Sequence, residues 1–288
     1  MGRLAAAHRD QLVNRIMALL RFLLDRYFIK WPWLRQKVTT LLWGNRTIPL
    51  RLLGTTIWAN TVKENGYCRA QRLASFNSLW REEVPVLISL AMLLENGDTF
   101  VDIGANVGVF SATLSRCNNI GRAVRFYAFE ANEDTFGRLQ MTLRGSDVAA
   151  FNLALSDKEG MLDFVEGAVS HVFTSVANAR SYNFRNKVTP VRCGRLDEMK
   201  LEGHAFVLKI DVEGQELQVL KGAEGLFAQR RVKAVYLDGY KDPQVLEFLR
   251  TKGFVFKEGH TLASTDGMVF SLLALKTETK SSGDSAFA

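Results

Sequence analysis

Cysteine is scarce in the sequence, and the few copies do not form the pattern of a disulfide framework or a metal site. The three cysteines, Cys68, Cys117 and Cys193, are far apart and include no CxxC pair. The four histidines are equally scattered, so a zinc site is not expected. An odd number of widely spaced thiols favours a reducing compartment, and we expect a cytoplasmic protein.

The sequence also lacks a long apolar run. Its most apolar N-terminal stretch, MALLRFLLDRYFI at residues 17–29, is interrupted by Arg21, Asp25 and Arg26. A membrane span needs about 20 mostly apolar residues, and a signal peptide needs a small-residue cleavage site, so neither is predicted. The apolar residues here recur at helical spacing, which indicates an amphipathic helix. They are Leu12, Ile16, Leu19, Leu20, Leu23 and Tyr27.

An excess of positive charge is missing from the larger part of the chain. The net charge is +7, but residues 1–80 carry +10 and the remainder carries −3. A nucleic-acid-binding domain usually presents a basic patch or stripe. The mildly acidic main part of the chain therefore argues against a nucleic-acid partner.

The first 80 residues are both basic and rich in tryptophan, and we predict that they form a helical N-terminal extension. All five tryptophans lie in this segment. Aromatic and basic residues together are typical of a membrane-surface helix or of a docking surface for an acidic or lipid-linked substrate, here within residues 1–45. The alternative is a helical cap packed on the main domain. We place that domain at residues 81–277 and a polar tail at residues 278–288.

Short apolar runs alternate with helical patterns from residue 98 onward. The runs FVDIG, AVRFYAFE, VAAFNLAL, FVLKID and VKAVYLDG are typical of buried strands. VFSATLSRC, EDTFGRLQMTL and EGQELQVLKGAEGLF lie between most of them and have helical spacing. This alternation predicts a mostly parallel sheet with helices on both faces. After a further helix, QVLEFLRTKG, the runs FVFKEG and MVFSLLALK are expected to close the sheet as a hairpin.

Residues 156–200 interrupt this alternation. Within this insert, 160–165 and 188–193 are predicted to be short strands, with a polar middle that includes His171. So long a connection in a compact domain is usually functional or has structure of its own. We expect it to cover the edge of the sheet where the strands end.

Polar side chains follow five of the predicted strands at their C-terminal ends. In an open α/β sheet, ligands bind outside this edge, at the point where the strand order reverses. We therefore expect the polar side chains to form one site. They are Asp102, Glu130, Asn152, Asp211 with Glu213, and Asp238.

The first strand-to-helix turn, DIGANVG, narrows the choice of ligand. Gly104 allows a tight turn, and Gly108 opens the following helix, whose free N–H groups can bind an anion. The dinucleotide fingerprint G-x-G-x-x-G is missing, and a pyrophosphate would be unfavourable among so many carboxylates. S-adenosylmethionine suits the site better, because it carries an ammonium and a sulfonium. Glu130 is placed to accept the two ribose hydroxyls.

Several motifs resemble those of the FkbM-type S-adenosylmethionine-dependent methyltransferases. The matching stretches are GDTFVDIGANVGVFS, FYAFEANEDTFGRL, FNLALSDKEG and LKIDVEGQELQVLKGA, with RLDE at residues 195–198. These stretches cover roughly residues 80–276, and the resemblance is specific because several motifs match in both their order and their spacing. Residues 1–75 lie outside the resemblance.

The resemblance implies a class I methyltransferase fold with a mostly parallel seven-stranded, Rossmann-like sheet. It implies that the first turn and the end of the second strand bind the cofactor, through Asp102, Gly104, Ala105, Asn106, Gly108 and Glu130. It further implies that Asn152 and Ala154 lie near the adenine and that Glu83 orders the first loop. Family members mostly methylate hydroxyl groups of sugars, lipids or secondary metabolites, so O-methylation is expected.

An alcohol must lose its proton to attack the methyl group, so a base is expected near the site. Asp211 is the first candidate for the catalytic site, either as this base or as the partner of the cofactor's ammonium. Glu213 could fill the other role or, with Asp211, simply open the next helix, where carboxylates suit the helix dipole. His171 is a further candidate base, whereas His204 is expected to be structural. Lys209 lies in an apolar strand and is expected to pair with an acid.

Other functions are weaker alternatives. Asp211, Glu213 and Asp238 could together hold a divalent cation, but the resemblance does not require a metal and none is predicted. A nicotinamide-dependent oxidoreductase would need the missing glycine of the fingerprint. A non-catalytic binding protein would leave the acids at the strand ends without a use. The partner is expected to be a small molecule, a glycan or a lipid-linked substrate.

Overall fold

A computed structural model describes residues 32–71, 79–118, 123–166, 173–175, 188–266 and 269–277. The predicted amphipathic helix at residues 12–27 and the polar tail lie outside these ranges. No helix within them is long and apolar enough to cross a membrane.

The central sheet has seven strands, and each overlaps one of the apolar runs from which the sequence predicted a strand. Its strands are β3 (Thr99–Ile103), β4 (Arg125–Phe129), β5 (Val148–Phe151), β10 (Phe206–Ile210), β11 (Val232–Asp238), β12 (Phe254–Glu258) and β13 (Ser271–Lys276). Their spatial order is β12-β13-β11-β10-β3-β4-β5. Five strands are parallel, while β13 runs antiparallel between β11 and β12. The predicted parallel sheet closed by a C-terminal hairpin is confirmed.

Helices pack on both faces of this sheet. The helices of the described residues are α1 (Pro32–Trp43), α2 (Asn65–Ala70), α3 (Val84–Leu93), α4 (Val109–Asn118), α5 (Glu133–Leu143), α6 (Glu216–Gly222), α7 (Glu224–Ala228) and α8 (Gln244–Thr251). Successive strand residues point to opposite faces, so Val101 and Leu208 pack toward α6 and α8, and Phe100 and Val207 pack toward α3 and α4.

The run VAAFNLAL does not form the single buried strand that was predicted. It bends at Asn152, so that β5 ends at Phe151 and a two-residue strand, β6 (Ala154–Leu155), joins another sheet. β5 is the edge strand and is only partly buried. The run looked like one buried strand in the sequence because its apolar residues belong to two strands in two different sheets.

The stretch EGQELQVLKGAEGLF forms two short helices instead of one. The carboxylate of Asp197 accepts hydrogen bonds from the N–H groups of Gly225 and Leu226, so it caps α7 as a separate helix. Gly222 approaches Ser156 so closely that a Cβ would lie 2.0 Å from the Ser156 carbonyl oxygen. The RLDE motif thus positions the helices behind the site.

The helical prediction for the N-terminal extension needs correction over residues 47–60. The chain forms a hairpin of β1 (Thr47–Leu52) and β2 (Thr55–Asn60), with a tight turn at Leu53 and Gly54, which both have positive φ. Positive φ at both central residues is the geometry of a two-residue hairpin turn. The inner face of the hairpin packs against α4 and α5, where Leu52 and Ile57 share a core with Leu139. This part of the extension is built into the main domain.

The insert folds as a second, four-stranded sheet, as its predicted strands suggested. β7 (Gly160–Glu166) pairs with β8 (Phe173–Ser175) and with β9 (Val188–Gly194), and β9 pairs with β6. Phe164 and Leu155 line the cavity described below. The insert therefore contributes to one wall of the site.

Candidate active site

A cavity of about 360 Å³ lies at the C-terminal ends of β3, β4, β10 and β11. Eight of the predicted site residues line it: Glu83, Gly104, Ala105, Asn106, Glu130, Ala154, Asp211 and Glu213. Asp238, which ends the strand next to Asp211, lines it as well. The expectation that the acids at the strand ends converge on one site agrees with this geometry.

The first turn is held tightly between two strands. Gly104 has φ of +74°, and a Cβ there would lie 1.9 Å from the backbone oxygen of Asp211. The N–H groups of Gly104 and Ala105 both donate to the carbonyl of Phe129. Only glycine fits at this position, because the turn touches the chain that leaves β10.

Gly108 directly precedes α4, as expected, but it is buried and does not line the cavity. With φ of +86°, it lies where a Cβ would approach the Leu139 side chain to 2.6 Å. This glycine lets the start of α4 pack closely on α5.

Glu130 joins the first turn to the start of α5. Its Oε2 accepts a hydrogen bond from the Asn106 N–H at 2.9 Å, and its Oε1 accepts one from the Asn132 N–H at 2.8 Å. Burial raises the pKa of Glu130 to about 7, although these two bonds act to lower it. Each carboxylate oxygen can accept a second bond, so Glu130 can also receive hydroxyl donors from the cavity.

Asp102 lies behind the cavity and not in its wall. It is fully buried, and its Oδ2 accepts bonds from the Ser111 N–H and hydroxyl. Its Oδ1 lies 3.2 Å from Lys209 Nζ, which confirms the expected acid partner of that lysine. Asp102 thus supports the turn from behind.

Asp211 and Glu213 both face the cavity. Asp211 Oδ2 lies 3.5 Å from Lys209 Nζ, and the Asp211 side chain is 32% exposed. Glu213 has positive φ, and burial together with Asp211 raises its pKa to about 7. The next helix, α6, begins at Glu216 with Gln215 as its N-cap residue, so the carboxylate nearest its N-terminus is that of Glu216. Both acids precede the N-cap residue of this helix.

Glu83 ends a π-helical turn, Leu79–Glu83, that leads into α3. Glu83 lines the cavity, and its Oε2 is buried and accepts no hydrogen bond from any residue that the structure describes. Burial and the nearby charge of Asp238 raise the pKa of Glu83 to about 8. A carboxyl group in this state is suited to meet a donor or a cation from a bound molecule.

The other residues considered in the sequence lie beside the cavity, far from it, or outside the described part of the chain. Asn152 is exposed, and its side-chain amide donates hydrogen bonds to the carbonyls of Glu130 and Ala131. These bonds hold the bend that follows β4. Ala154, two residues later, lines the cavity. His171 lies outside the described residues. His204 lies at the N-terminal edge of the sheet, where its backbone N–H donates to the Gly97 carbonyl.

Sequence reasoning missed several residues that line the cavity. Glu64 and Tyr67 come from the extension, and His260 follows β12. Glu64 forms a buried ion pair of 2.7 Å with Arg138 of α5, which ties the extension to the wall of the site. These residues are far apart in sequence, and only the packing of the hairpin and the position of β12 bring them together.

The cavity is predominantly acidic. Seven carboxylate residues line it, against one lysine and one histidine, and that lysine is Lys209, which is paired with Asp102. Across the described part of the chain, no group of three or more His, Cys, Asp and Glu residues has the arrangement of a metal site. The acidic charge of the lining favours a ligand that carries positive charge.

A seven-stranded sheet of this order, with an acidic cavity at its C-terminal edge, defines a class I methyltransferase fold. Residues 102–256 match the methyltransferase FkbM domain, which is more than half of the chain. The chain belongs to the FkbM methyltransferase family, as its motifs indicated.

The chain is also similar to individual proteins. The chain is 27% identical over 193 residues to the hexuronic acid methyltransferase AglP of Haloferax volcanii, covering 62% of this chain and 74% of that protein. Among solved structures, it is similar to a TehB-like methyltransferase from Corynebacterium glutamicum, with 11% identity, coverage of 75% of this chain and 98% of that one, and a TM-score of 0.40. It is also similar to the tRNA (uracil-54, C5)-methyltransferase of Pyrococcus abyssi, with 13% identity, coverage of 81% and 44%, and a TM-score of 0.44.

The cofactor of this family member is S-adenosylmethionine, and the residues of the cavity fit it. Glu130 has free acceptor positions for the ribose hydroxyls. Asp211 and Glu83, which both line the cavity, would lie near the positive ammonium and sulfonium groups. A cationic ligand would relieve the repulsion among these buried acids.

Proposed function

We propose that this methyltransferase acts on a hydroxyl group of a sugar, a glycolipid or a secondary metabolite. The main observation behind the proposal is that Asp211 and Asp238, at the ends of neighbouring strands, face the same cavity as Glu130. This arrangement puts groups for the cofactor and groups for a polar acceptor in one enclosed space. The similarity to a hexuronic acid methyltransferase favours a sugar.

The cofactor supplies an electrophilic methyl group, and the protein must align a hydroxyl oxygen with it. Alignment in a water-poor site can lower the barrier by several kcal/mol, on the order of the effect of an intramolecular reaction. The insert strand β7, the turn at Glu83 and Tyr67 of α2 surround the cavity opposite the sheet. We assign to them the exclusion of water and the orientation of the acceptor.

Asp211 is best suited to hold the cofactor's ammonium. It already shares the ammonium of Lys209 with Asp102, so it is a poorly placed receiver for a further proton. Glu213, two residues later, lines the same cavity and adds a second carboxyl group for the positive charge of the cofactor. The proton of the acceptor hydroxyl then needs another receiver.

A direct test is to incubate the protein with methyl-labelled S-adenosylmethionine and defined acceptors. Suitable probes are methyl glycosides of a neutral hexose and of a hexuronic acid, followed by lipid-linked glycans. The expected product carries an added CH₂ that survives alkaline hydrolysis, because an ether is stable where a methyl ester is cleaved. Labelling that is lost in alkali would indicate transfer to a carboxylate and would contradict the proposal.

Thermal-shift measurements separate the rival functions before an acceptor is known. We expect stabilisation by S-adenosylmethionine and S-adenosylhomocysteine, because a ligand that binds only the folded state raises the unfolding temperature. Stabilisation by NAD alone would point to an oxidoreductase.

Contact of residues 1–45 with a membrane is a separate part of the proposal. It is motivated by the basic, tryptophan-rich sequence of the extension. Flotation with anionic liposomes, compared for the full chain and for a variant with Arg15, Arg21 and Arg26 changed to Gln, tests it. Equal recovery of both proteins in the lipid fraction would reject an electrostatic membrane contact.

A further inference from the structure

His260 and Glu258 form a pair at the edge of the cavity. His260 Nδ1 lies 3.0 Å from Glu258 Oε1, and the two side chains are 24% and 22% exposed. A carboxylate at Nδ1 fixes the orientation of an imidazole and selects the tautomer whose Nε2 carries no proton. His260 lines the cavity, so Nε2 is the nitrogen available to a molecule bound there.

The carboxylate of Glu258 is itself held in place. Its Oε2 accepts hydrogen bonds of 2.7 Å from both the N–H and the hydroxyl of Thr261. A tight turn after β12 fixes these groups, because the Leu262 N–H donates to the Glu258 carbonyl and the Glu258 N–H donates to the Ala263 carbonyl. Burial acts to raise the pKa of Glu258, but the bonds from Thr261 outweigh it and lower the pKa. Glu258 therefore stays ionised beside the imidazole.

His260 lies on the side of the cavity formed by β11 and β13. It is near enough to Asp238 for an imidazolium charge to lower the pKa of that carboxyl group. Phe270, which lines the mouth of the cavity, has a side chain that is largely exposed. The cofactor groups, Glu130 and the GANVG turn, lie on the opposite side, at β3 and β4. The position is that of a group facing the acceptor.

We propose that His260 is the general base of the reaction and that Glu258 is its positioning residue. The inference rests on the proposed methylation of a hydroxyl group. As the acceptor oxygen forms its bond to the methyl carbon, its proton passes to Nε2, and the electron pair of the broken methyl–sulfur bond stays on sulfur. The resulting imidazolium is stabilised by Glu258 and returns its proton to solvent, to which the side chain is partly exposed.

The neighbouring carboxyl groups are less suitable as bases. Burial and the charge of Asp238 raise the pKa of Glu83 to about 8, so Glu83 is largely protonated near neutral pH. The carboxylate of Asp238 is already hydrogen-bonded to the Tyr236 side chain. Asp211 is paired with Lys209. His260 is the group with both an orienting partner and access to the cavity.

Three substitutions test the inference in the full chain. His260→Gln should lower kcat for methyl transfer by about 10²- to 10⁴-fold, while the affinity for S-adenosylmethionine changes by less than about twofold. Glu258→Gln should lower kcat by about tenfold or more, because the orienting partner of the imidazole is lost. His204→Gln, at an exposed histidine on the far edge of the sheet, should leave both quantities unchanged. The acceptor probe is whichever of the two methyl glycosides named above is methylated.

The pH dependence of kcat distinguishes a catalytic base from a residue that is only structural, because loss of a structural residue would not change the shape of the pH profile. The wild-type rate should fall on the acidic side as the base becomes protonated, and His260→Gln should remove that limb. Glu258 and Asp238 are the charged groups next to His260, and Lys209, Glu82 and Glu83 act in turn on Asp238, so Asp238→Asn is measured in parallel. An acidic limb that persists in His260→Gln and disappears in Asp238→Asn would assign the base to Asp238 and overturn the inference.

The tautomer of His260 can be read without an acceptor. The chain has four histidines, so ¹⁵N-labelled imidazole signals are assigned by comparison with His260→Gln. We expect Nε2 to carry no proton in the wild type and the preference to weaken in Glu258→Gln. A proton found on Nε2 overturns the inference even if methyl transfer to a hydroxyl occurs. If the wild type binds the cofactor but methylates no hydroxyl, the proposed function fails first, and the inference fails with it.

Discussion

Lys209 on β10 and Asp102 on β3 are register partners in two neighbouring parallel strands, and their side chains form an ion pair of 3.2 Å in the interior. Lys209 Nζ also donates to the Gly104 carbonyl at 3.0 Å and lies 3.5 Å from Asp211. Burial acts to lower the pKa of Lys209, but Asp102 and Asp211 outweigh it and raise the pKa. One buried ammonium therefore links the first turn to Asp211.

Replacing Lys209 by Met should destabilise the protein by about 3 to 5 kcal/mol, because Asp102 would be left as a buried charge without its partner. Urea unfolding followed by circular dichroism measures the loss. Lys252→Met is the control, since its partner Glu224 is about half exposed and such pairs contribute about 0 to 1 kcal/mol. Equal losses of unfolding free energy in the two variants would show that the buried ion pair of Lys209 contributes no more to stability than an exposed pair.

Gly104 sets the distance between the first turn and β10, so Gly104→Ala should be poorly tolerated. A Cβ 1.9 Å from the Asp211 oxygen cannot be accommodated without moving the backbone. We expect the free energy of unfolding to fall by about 1 to 3 kcal/mol, together with weaker binding of S-adenosylmethionine. Gly137→Ala, within α5 and with no atom near the new Cβ, is the matched control and should stabilise the protein by about 0.4 to 1 kcal/mol. Calorimetric binding and thermal unfolding of both variants check this.

The edge of the sheet that carries the site could be predicted because nearly continuous apolar runs and parallel pairing together determine where strand ends meet. Asp211, Asp238 and Glu130 are at that edge for this reason. The broken helix and the bend at Asn152 could not be foreseen, because they depend on Asp197 and on a second sheet reached through distant contacts.

The hairpin at residues 47–60 did leave a signal in the sequence. Two runs rich in threonine, isoleucine and leucine flank Leu53 and Gly54, a pattern that favours strands joined by a tight turn. The abundance of tryptophan and basic residues drew the interpretation toward a helix instead. His260 left no such signal, since its pairing with Glu258 and its position in the cavity follow from the turn after β12 and the order of the sheet.

Glu130→Ala should weaken binding of S-adenosylmethionine by roughly 10- to 150-fold. The carboxylate offers charge-assisted bonds to hydroxyl donors, each worth about 1.5 to 3 kcal/mol, and it also holds the N–H of Asn106 in the first turn. Titration calorimetry measures the affinity. The control is Asn152→Ala, which removes an exposed amide outside the cavity lining and should change the affinity far less. Unchanged binding in Glu130→Ala would mean that the ribose lies elsewhere.

The acidic cavity should make the cofactor-free protein less stable as the pH rises. Burial raises the pKa of Glu83 to about 8 and the pKa values of Glu130 and Glu213 to about 7, above the ordinary carboxyl value of 4.5. Between these values the folded protein binds more protons than the unfolded chain, so raising the pH favours unfolding. Glu83→Gln removes one of these groups and should gain stability relative to the wild type between about pH 5 and pH 8.

Thermal unfolding of both proteins across this range measures the difference. Exposed Glu202→Gln serves as the control and should show no comparable trend. S-adenosylmethionine should stabilise the wild type more at the higher pH, because its positive groups bind the ionised carboxylates most strongly. A difference between Glu83→Gln and the wild type that is constant with pH would contradict the role of this buried acid.

Ile57 tests whether the hairpin belongs to the methyltransferase domain. Its side chain is fully buried in a core shared with Leu139 of α5 and Ala128 of β4. Ile57→Ala should therefore cost about 2 to 5 kcal/mol, and unfolding should remain a single transition in which the whole domain loses stability. Ile88→Ala, at an exposed position of α3, makes the same chemical change and should stay within about 0.5 kcal/mol of the wild type. Calorimetry that resolved a separate early transition in Ile57→Ala would instead identify the hairpin as an independent cap.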